Sequence, residues 1–217
     1  MGEIDPRQDP LYLIADVATA DGLGVDLVQA VRGYLSGGGR MVSLRAQGIS
    51  DGRALRLGRE IAAMVASVGG LFLVHRRADL AVILAADGVH LPSDGLTPRE
   101  VREVAGHSLV LGQSAHRPKE VPGPPVAFAT LGPFFESLSK PGYGPALSLS
   151  ALTDLPVTTP VYALGGVTPE NARHCVEAGA FGIAVVGGIL GAPDPATATA
   201  SYFRALAGLP KLNGASR

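Results

Sequence analysis

A single cysteine, Cys175, occurs in the 217 residues, so no disulfide can form within the chain. It falls inside a helical stretch, on the side read as buried, and is taken as a small core residue rather than a nucleophile. Tryptophan is absent and aromatic residues make up only 5%. Charged residues are also few, at 17% against 47% hydrophobic, which excludes a disordered or solvating chain. The net charge of −1 removes any general attraction to nucleic acid or to a membrane surface. No 18-residue apolar run and no signal-peptide pattern occurs, so a soluble, cytoplasmic protein is expected. Histidine and cysteine do not cluster at ligand spacing, which argues against a structural zinc site.

What is present is most concentrated between residues 160 and 190, PVYALGGVTPENARHCVEAGAFGIAVVGGIL. Two short apolar runs, 161–164 and 183–186, each end in a glycine pair, Gly165-Gly166 and Gly187-Gly188. The helix between them has its start and stop in sequence: Thr168 to cap, Pro169 at the first helical position, Gly179 beyond the end. Without a Cβ, glycine lets backbone N–H groups approach an anion, and a helix N-terminus adds partial positive charge. Two such loops at the ends of the last two strands of an eightfold βα chain are where a barrel holds phosphate. The alternative is that the glycines serve tight turns alone.

The rest of the chain supplies the other strands. Residues 1–10 are polar and punctuated by proline and are expected to be mobile; a domain over 11–207 follows, then a frayed tail at 208–217. Strands are read at 11–17, 41–45, 71–74, 87–91, 108–112 and 126–131, before the two already described. Helices are read at 25–35, 53–68, 78–86, after the capping box Thr97-Pro98-Arg99-Glu100, at 148–155 and at 196–207. Residues 117–124 are too short and proline-rich for a helix, and 132–145 form a long loop. Eight strands alternating with helices predict a compact (β/α)8 TIM barrel of the α/β class. The competitor is a doubly wound open sheet, which the same alternation allows; the strand count and the late glycine pairs favour the barrel.

In a barrel, functional side chains gather at the carboxyl ends of the strands. Those positions hold Arg45, His75, Arg76, Arg77, His90, Ser114 and His116, with Ser137, Ser139 and Lys140 in the long loop. They are mostly basic and contain no carboxylate pair, which fits an anionic ligand and neither a glycosidase nor a metal cage. Arg45 has a structural alternative, pairing with an acid on a neighbouring loop, and His90 one as a satisfied core histidine. His107 and His174 read as surface residues. His116 is the expected catalytic group, because histidine moves protons in either direction near neutral pH; its alternative is a solvent-facing loop residue.

Three stretches together, 86–102 (ADGVHLPSDGLTPREVR), 132–145 (GPFFESLSKPGYGP) and 160–190, resemble the thiamine phosphate synthase/TenI superfamily of small (β/α)8 barrels. The likeness runs from about residue 11 to residue 206. It implies that Gly165, Gly166, Gly187 and Gly188 bind the phosphate of a thiazole phosphate, and that Ser137, Ser139 and Lys140 belong to a loop closing over the ligands. Departures matter as much. Where synthases of the superfamily carry Arg-Glu-Lys after the second strand, this chain has Arg45-Ala46-Gln47. Where they carry Asn-Asp after the third, the Asp a magnesium ligand, it has His75-Arg76; where they carry Gly-Gln-Glu-Asp after the fourth, it has Pro92-Ser93-Asp94-Gly95. A guanidinium in place of a carboxylate repels Mg²⁺.

The runs His90-Leu91-Pro92-Ser93 and Gly112-Gln113-Ser114-Ala115-His116 are similar to the TenI branch, which implies a thiazole tautomerase: aromatisation of a carboxythiazole phosphate, with His116 as general acid/base and no cofactor or metal. Arg45 or Lys140 would hold the substrate carboxylate. Ser114 would line the ligand site. The alternatives are a Mg²⁺-dependent synthase joining a pyrimidine diphosphate to thiazole phosphate, and a non-catalytic barrel that binds a phosphorylated metabolite. The partner expected is the small thiazole phosphate, with no nucleic acid and no membrane; a homo-oligomer is left open.

Overall fold

The computed structural model describes residues 9–136, 146–153, 155 and 159–209. Eight parallel strands close into a barrel: β1 (Leu11–Asp16), β2 (Met41–Arg45), β3 (Leu71–His75), β4 (Gly88–Leu91), β5 (Val110–Ala115), β6 (Phe128–Leu131), β7 (Val161–Leu164) and β8 (Gly182–Val185), which pairs back onto β1. The helices are α1 (Val17–Leu23), α2 (Leu27–Ser36), α3 (Asp51–Ser67), α4 (Ala78–Ile83), α5 (Pro98–Ala105), α6 (Pro169–Glu177), α7 (Gly187–Leu190) and α8 (Pro195–Leu206). Closure rules out the open sheet. Among the described residues no helix is long and apolar enough to cross a membrane.

The strands read as unbroken apolar runs because both faces are covered. On β1, Leu11, Leu13 and Ala15 pack outward beneath the helices, while Tyr12 and Ile14 point into the barrel. Interior residues from other strands, among them Met41, Leu73, Phe128 and Tyr162, complete a second, smaller core. Its floor is aromatic: Tyr12, Phe128 and Tyr162 meet edge to face with centroids 5.6–5.9 Å apart, a geometry that aligns ring edges with neighbouring faces. Cys175 is fully buried on α6, and burial pushes its thiol up to about 11, as a core residue requires.

Several boundaries differ from the sequence reading. Residues 17–23, read as the end of a strand and a loop, form α1, because the Asp16 carboxylate accepts from the backbone N–H of Thr19 and starts a helix. The fifth strand runs from Val110 through Ala115 instead of 108–112, its ladder carried on by Ser114 opposite Thr130 and Ala115 opposite Leu131. The helix expected at 148–155 is a single 3-10 turn, Leu149–Leu152. Gly187-Gly188 is not a loop after the last strand but the first turn of α7. The Thr97 capping box is present as read: Thr97 Oγ1 accepts from Glu100 N–H, and the Glu100 carboxylate accepts from Thr97 N–H.

Candidate active site

Parallel pairing sets strand ends side by side, so register alone assembles the mouth. Asp16 lies opposite Arg45, His75 opposite His90, His90 opposite Gly112, and Ser114 opposite Thr130. The predicted residues Arg45, His75, His90 and Ser114 are therefore brought together around one end of the barrel, with His116 one residue beyond β5.

The cations there are already engaged. Arg45 reaches Asp16 at 3.3 Å and donates to Gln47 Oε1 at 2.8 Å, so the pairing alternative for this residue is what the fold contains. Arg77 forks onto Asp79 and also reaches Asp51. Arg76 contacts Asp94 at 3.3 Å, with the two side chains 41% and 76% exposed. Its backbone is left-handed, with φ +69°, a conformation that costs a non-glycine residue about 1–2 kcal/mol. Arg76 N–H donating to the His90 carbonyl at 2.8 Å holds it there.

A magnesium ion would need several oxygen ligands converging on one point. The mouth offers Asp16, tied to Arg45 and Thr19, and Asp94, tied to Arg76. Among the described residues no three His, Cys, Asp or Glu side chains gather to hold a metal ion. Among the described residues the mouth therefore presents no protein-only Mg²⁺ cage, and its two carboxylates are each paired with a guanidinium.

His116 stands at the rim, exposed. Its backbone N–H and that of Arg117 both donate to the Glu120 carboxylate, which the 3-10 turn Pro118–Glu120 carries into place. Those N–H donors, that of His116 foremost, hold the Glu120 carboxyl below its ordinary range. The His116 ring places Nδ1 3.3 Å from the carbonyl oxygen of Gly132. A carbonyl only accepts, so Nδ1 carries the proton in the neutral ring and Nε2 is its basic nitrogen.

From Gly132 the chain crosses directly to the glycine pair. Phe134 N–H donates to Leu164 O and Phe135 N–H to Gly165 O, laying residues 133–136 over the end of β7. Gly165 and Gly166 have φ of +96° and +61°; a Cβ on them would lie 2.5 Å from Pro133 and 2.3 Å from Glu136 O. The pair is thus demanded by the packing of this loop, apart from any ligand. Asn171 steadies the turn, accepting from Thr168 N–H and donating to Gly166 O. Tyr202 of α8, which the sequence reading overlooked, donates its hydroxyl to Val167 O at 2.9 Å and lies where a Cβ on Gly188 would stand, 2.1 Å away. One buried phenol therefore touches both glycine segments. The remaining predicted residues, Ser137, Ser139 and Lys140, lie outside the described residues.

Inside the mouth His90 takes the alternative read for it, a satisfied core histidine. His90 is 1% exposed, with Nδ1 3.2 Å from the Tyr12 hydroxyl and Nε2 2.9 Å from Ser114 Oγ. Its ring stacks on His75 at 5.3 Å. Burial, and secondarily the neighbouring His75, push its pKa well below the ordinary histidine value, so the ring is neutral. The alternation of β1 marks Tyr12 as inward-facing; nothing in sequence pairs it with His90.

Known proteins agree with this architecture. The family model described as thiamine monophosphate synthase (TMP-TENI) matches residues 11–189. A thiamine-phosphate synthase from Roseiflexus castenholzii is 32% identical over 194 residues, covering 87% of this chain and 84% of the relative. One from Moorella thermoacetica is 32% identical over 200 residues, covering 89% and 93%. Among solved structures, the thiamine phosphate pyrophosphorylase from Pyrococcus furiosus superposes with a TM-score of 0.76 at 25% identity, covering 90% of this chain and 94% of that one. With a family match over residues 11–189 and relatives similar over 84% and 93% of their own length, this chain belongs to the thiamine monophosphate synthase/TenI family.

Proposed function

We propose that this member of the family isomerises a phosphorylated thiazole without a metal ion: the tautomerisation that aromatises an exocyclic-ylidene carboxythiazole phosphate. One observation carries the reading. Of the two strand-end positions where a synthase would set magnesium carboxylates, the one after the third strand holds Arg76, paired with the nearby Asp94, and the one after the fourth holds Gly95. The phosphate would sit on the segments Gly165-Gly166 and Gly187-Gly188. The reaction needs a proton taken from ring C2 and one delivered to the exocyclic carbon. His116 suits both roles, its Nδ1 bound to Gly132 and its Nε2 basic; a positioned general acid/base contributes roughly 10²–10⁴ in rate. Ser114 at the mouth would meet the carboxylate end, with Arg45 joining if the ligand displaces Asp16.

A second reading, the synthase that couples a pyrimidine diphosphate to thiazole phosphate with Mg²⁺, is the one favoured by the names of the relatives. Both reactions are to be run on one preparation. The first reading expects turnover of the ylidene substrate undiminished by EDTA, falling at least about tenfold in His116→Ala with the fold intact. Mg²⁺-dependent coupling with no ylidene turnover would replace it by the second.

A further inference from the structure

The interior of a (β/α)8 barrel is ordinarily filled by layers of branched apolar side chains. Here a polar chain runs through it instead: Tyr12, fully buried, to His90, 1% exposed, to Ser114, half-buried at the mouth, with Thr130 Oγ1 a further 3.5 Å neighbour of His90 Nε2. Burying so many polar atoms is costly unless each is satisfied, and a satisfied network fixes its members in one arrangement. We propose that His90 is a positioning residue which aims the hydroxyl of Ser114 out of the barrel as a hydrogen-bond donor to the bound substrate. This rests on the reading that the mouth takes a thiazole phosphate.

The direction of the chain follows from its donors. We assign Tyr12 as the donor and His90 Nδ1 as the acceptor, the otherwise unpartnered Ser43 hydroxyl beside Tyr12 being left to donate to the phenol oxygen. The neutral ring then bears its proton on Nε2, and that N–H donates to Ser114 Oγ. Ser114 has received a hydrogen bond from inside and keeps its own proton to give outward. A donor fixed in this way meets an acceptor on which negative charge gathers as the ring proton leaves, without having to reorient during the reaction. The groups packed against the His90 ring are His75, stacked 5.3 Å away, Tyr12 and Phe128. None is a carboxylate, so nothing among them favours an imidazolium. Strand register holds the arrangement: β4 sets His90 opposite His75 and Gly112, and β5 sets Ser114 two residues on.

The test has two readouts. Long-range ¹H–¹⁵N correlation of the labelled, ligand-free protein at pH 7, with the His90 signals identified by their loss in His90→Gln, is expected to show Nε2 protonated and Nδ1 bare. A ring protonated on Nδ1, or charged, overturns the direction assigned to the chain. In turnover, Ser114→Ala and His90→Leu should each lower kcat about tenfold or more with little change in KM. The double variant should be no slower than His90→Leu alone, because the two act as one unit. His90→Gln, which keeps a donor towards Ser114, should recover part of the loss. Losses that multiply in the double variant overturn the proposal. The spectrum does not depend on which reaction the barrel runs. A wild type that leaves the ylidene unchanged therefore overturns the proposed function, while the spectrum still decides where the Ser114 hydroxyl points.

Discussion

Asp9 places a carboxylate where solvent hardly reaches it, at the foot of the barrel. It accepts from the N–H groups of Leu11 and Arg40, yet burial outweighs those bonds and pushes its pKa up to about 6 from an ordinary 3.8. The folded protein therefore keeps this proton up to about pH 6, whereas the unfolded chain loses it near pH 4. Asp9 stabilises most below the unfolded value, and that contribution is lost as pH rises to about 6, by up to about 3 kcal/mol. Asp9→Asn removes the slope. The difference in urea midpoint between variant and wild type should thus move in the variant's favour between pH 4 and pH 7; parallel curves would show that Asp9 titrates normally. Arg76 offers a second test at this scale. Arg76→Gly relieves its left-handed backbone and gives up only an exposed ion pair, so stability should rise by about 1 kcal/mol in the same assay. A loss instead would mean the Arg76–Asp94 pair matters more than its exposure allows. Neither property was legible from sequence, although Arg76 itself stood out as a strand-end cation. Desolvation at Asp9 and a positive φ at Arg76 are products of neighbours far along the chain.

Elements were legible where their termini are written in side chains. α6 begins at Thr168 and Pro169 as read, and α5 at its capping box. α1 and α7 were missed for opposite reasons. α1 follows β1 without a break, inside one apolar-looking run, and only the reach of Asp16 to Thr19 divides them. α7 has four residues, too few for any periodicity to show. α8 was placed to within a residue at each end, but its role was not visible: Tyr202 occupies an ordinary buried helical position, and its hydroxyl happens to reach Val167 O beside Gly188. Removing that hydroxyl leaves a buried carbonyl without its donor, at a cost of about 1–3 kcal/mol. Tyr202→Phe is therefore expected to melt earlier. If the glycine segments hold phosphate, it should also weaken thiazole phosphate several-fold by titration calorimetry while leaving the ¹⁵N signals of His90 in place. Unchanged affinity would separate Tyr202 from the ligand site.

At the scale of the whole molecule, alternation and strand count indicated a barrel. Closure itself lies in the pairing of β8 with β1, which no local stretch encodes. The site was half legible for the same reason. Residue types at strand ends could be listed, but their partners were fixed by register: Arg45 with Asp16, His90 between Tyr12 and Ser114. Those pairings decide how the barrel should respond to ligands as a unit. A ligand that binds only the folded state stabilises it by RT ln(1 + [L]/Kd), about 2.7 kcal/mol at a hundredfold excess over Kd. For a domain of this size that raises the melting temperature by roughly 5–10 °C. On the proposed reading thiazole phosphate should produce such a rise and the dephosphorylated thiazole alcohol much less, since the glycine segments would then have no phosphate to hold. On the proposed reading Mg²⁺ should add nothing to either, because Asp16 and Asp94 are each paired with a guanidinium and, among the described residues, no three His, Cys, Asp or Glu side chains gather to hold a metal ion. Thermal scans over a Mg²⁺ series, with and without thiazole phosphate, put both statements to one measurement. Equal rises with the phosphate and the alcohol would move the anchor away from the glycine segments. A further rise that appears only when magnesium accompanies a pyrimidine diphosphate would show that the diphosphate itself supplies the ligands this chain lacks, and the coupling reaction would then be the one to pursue.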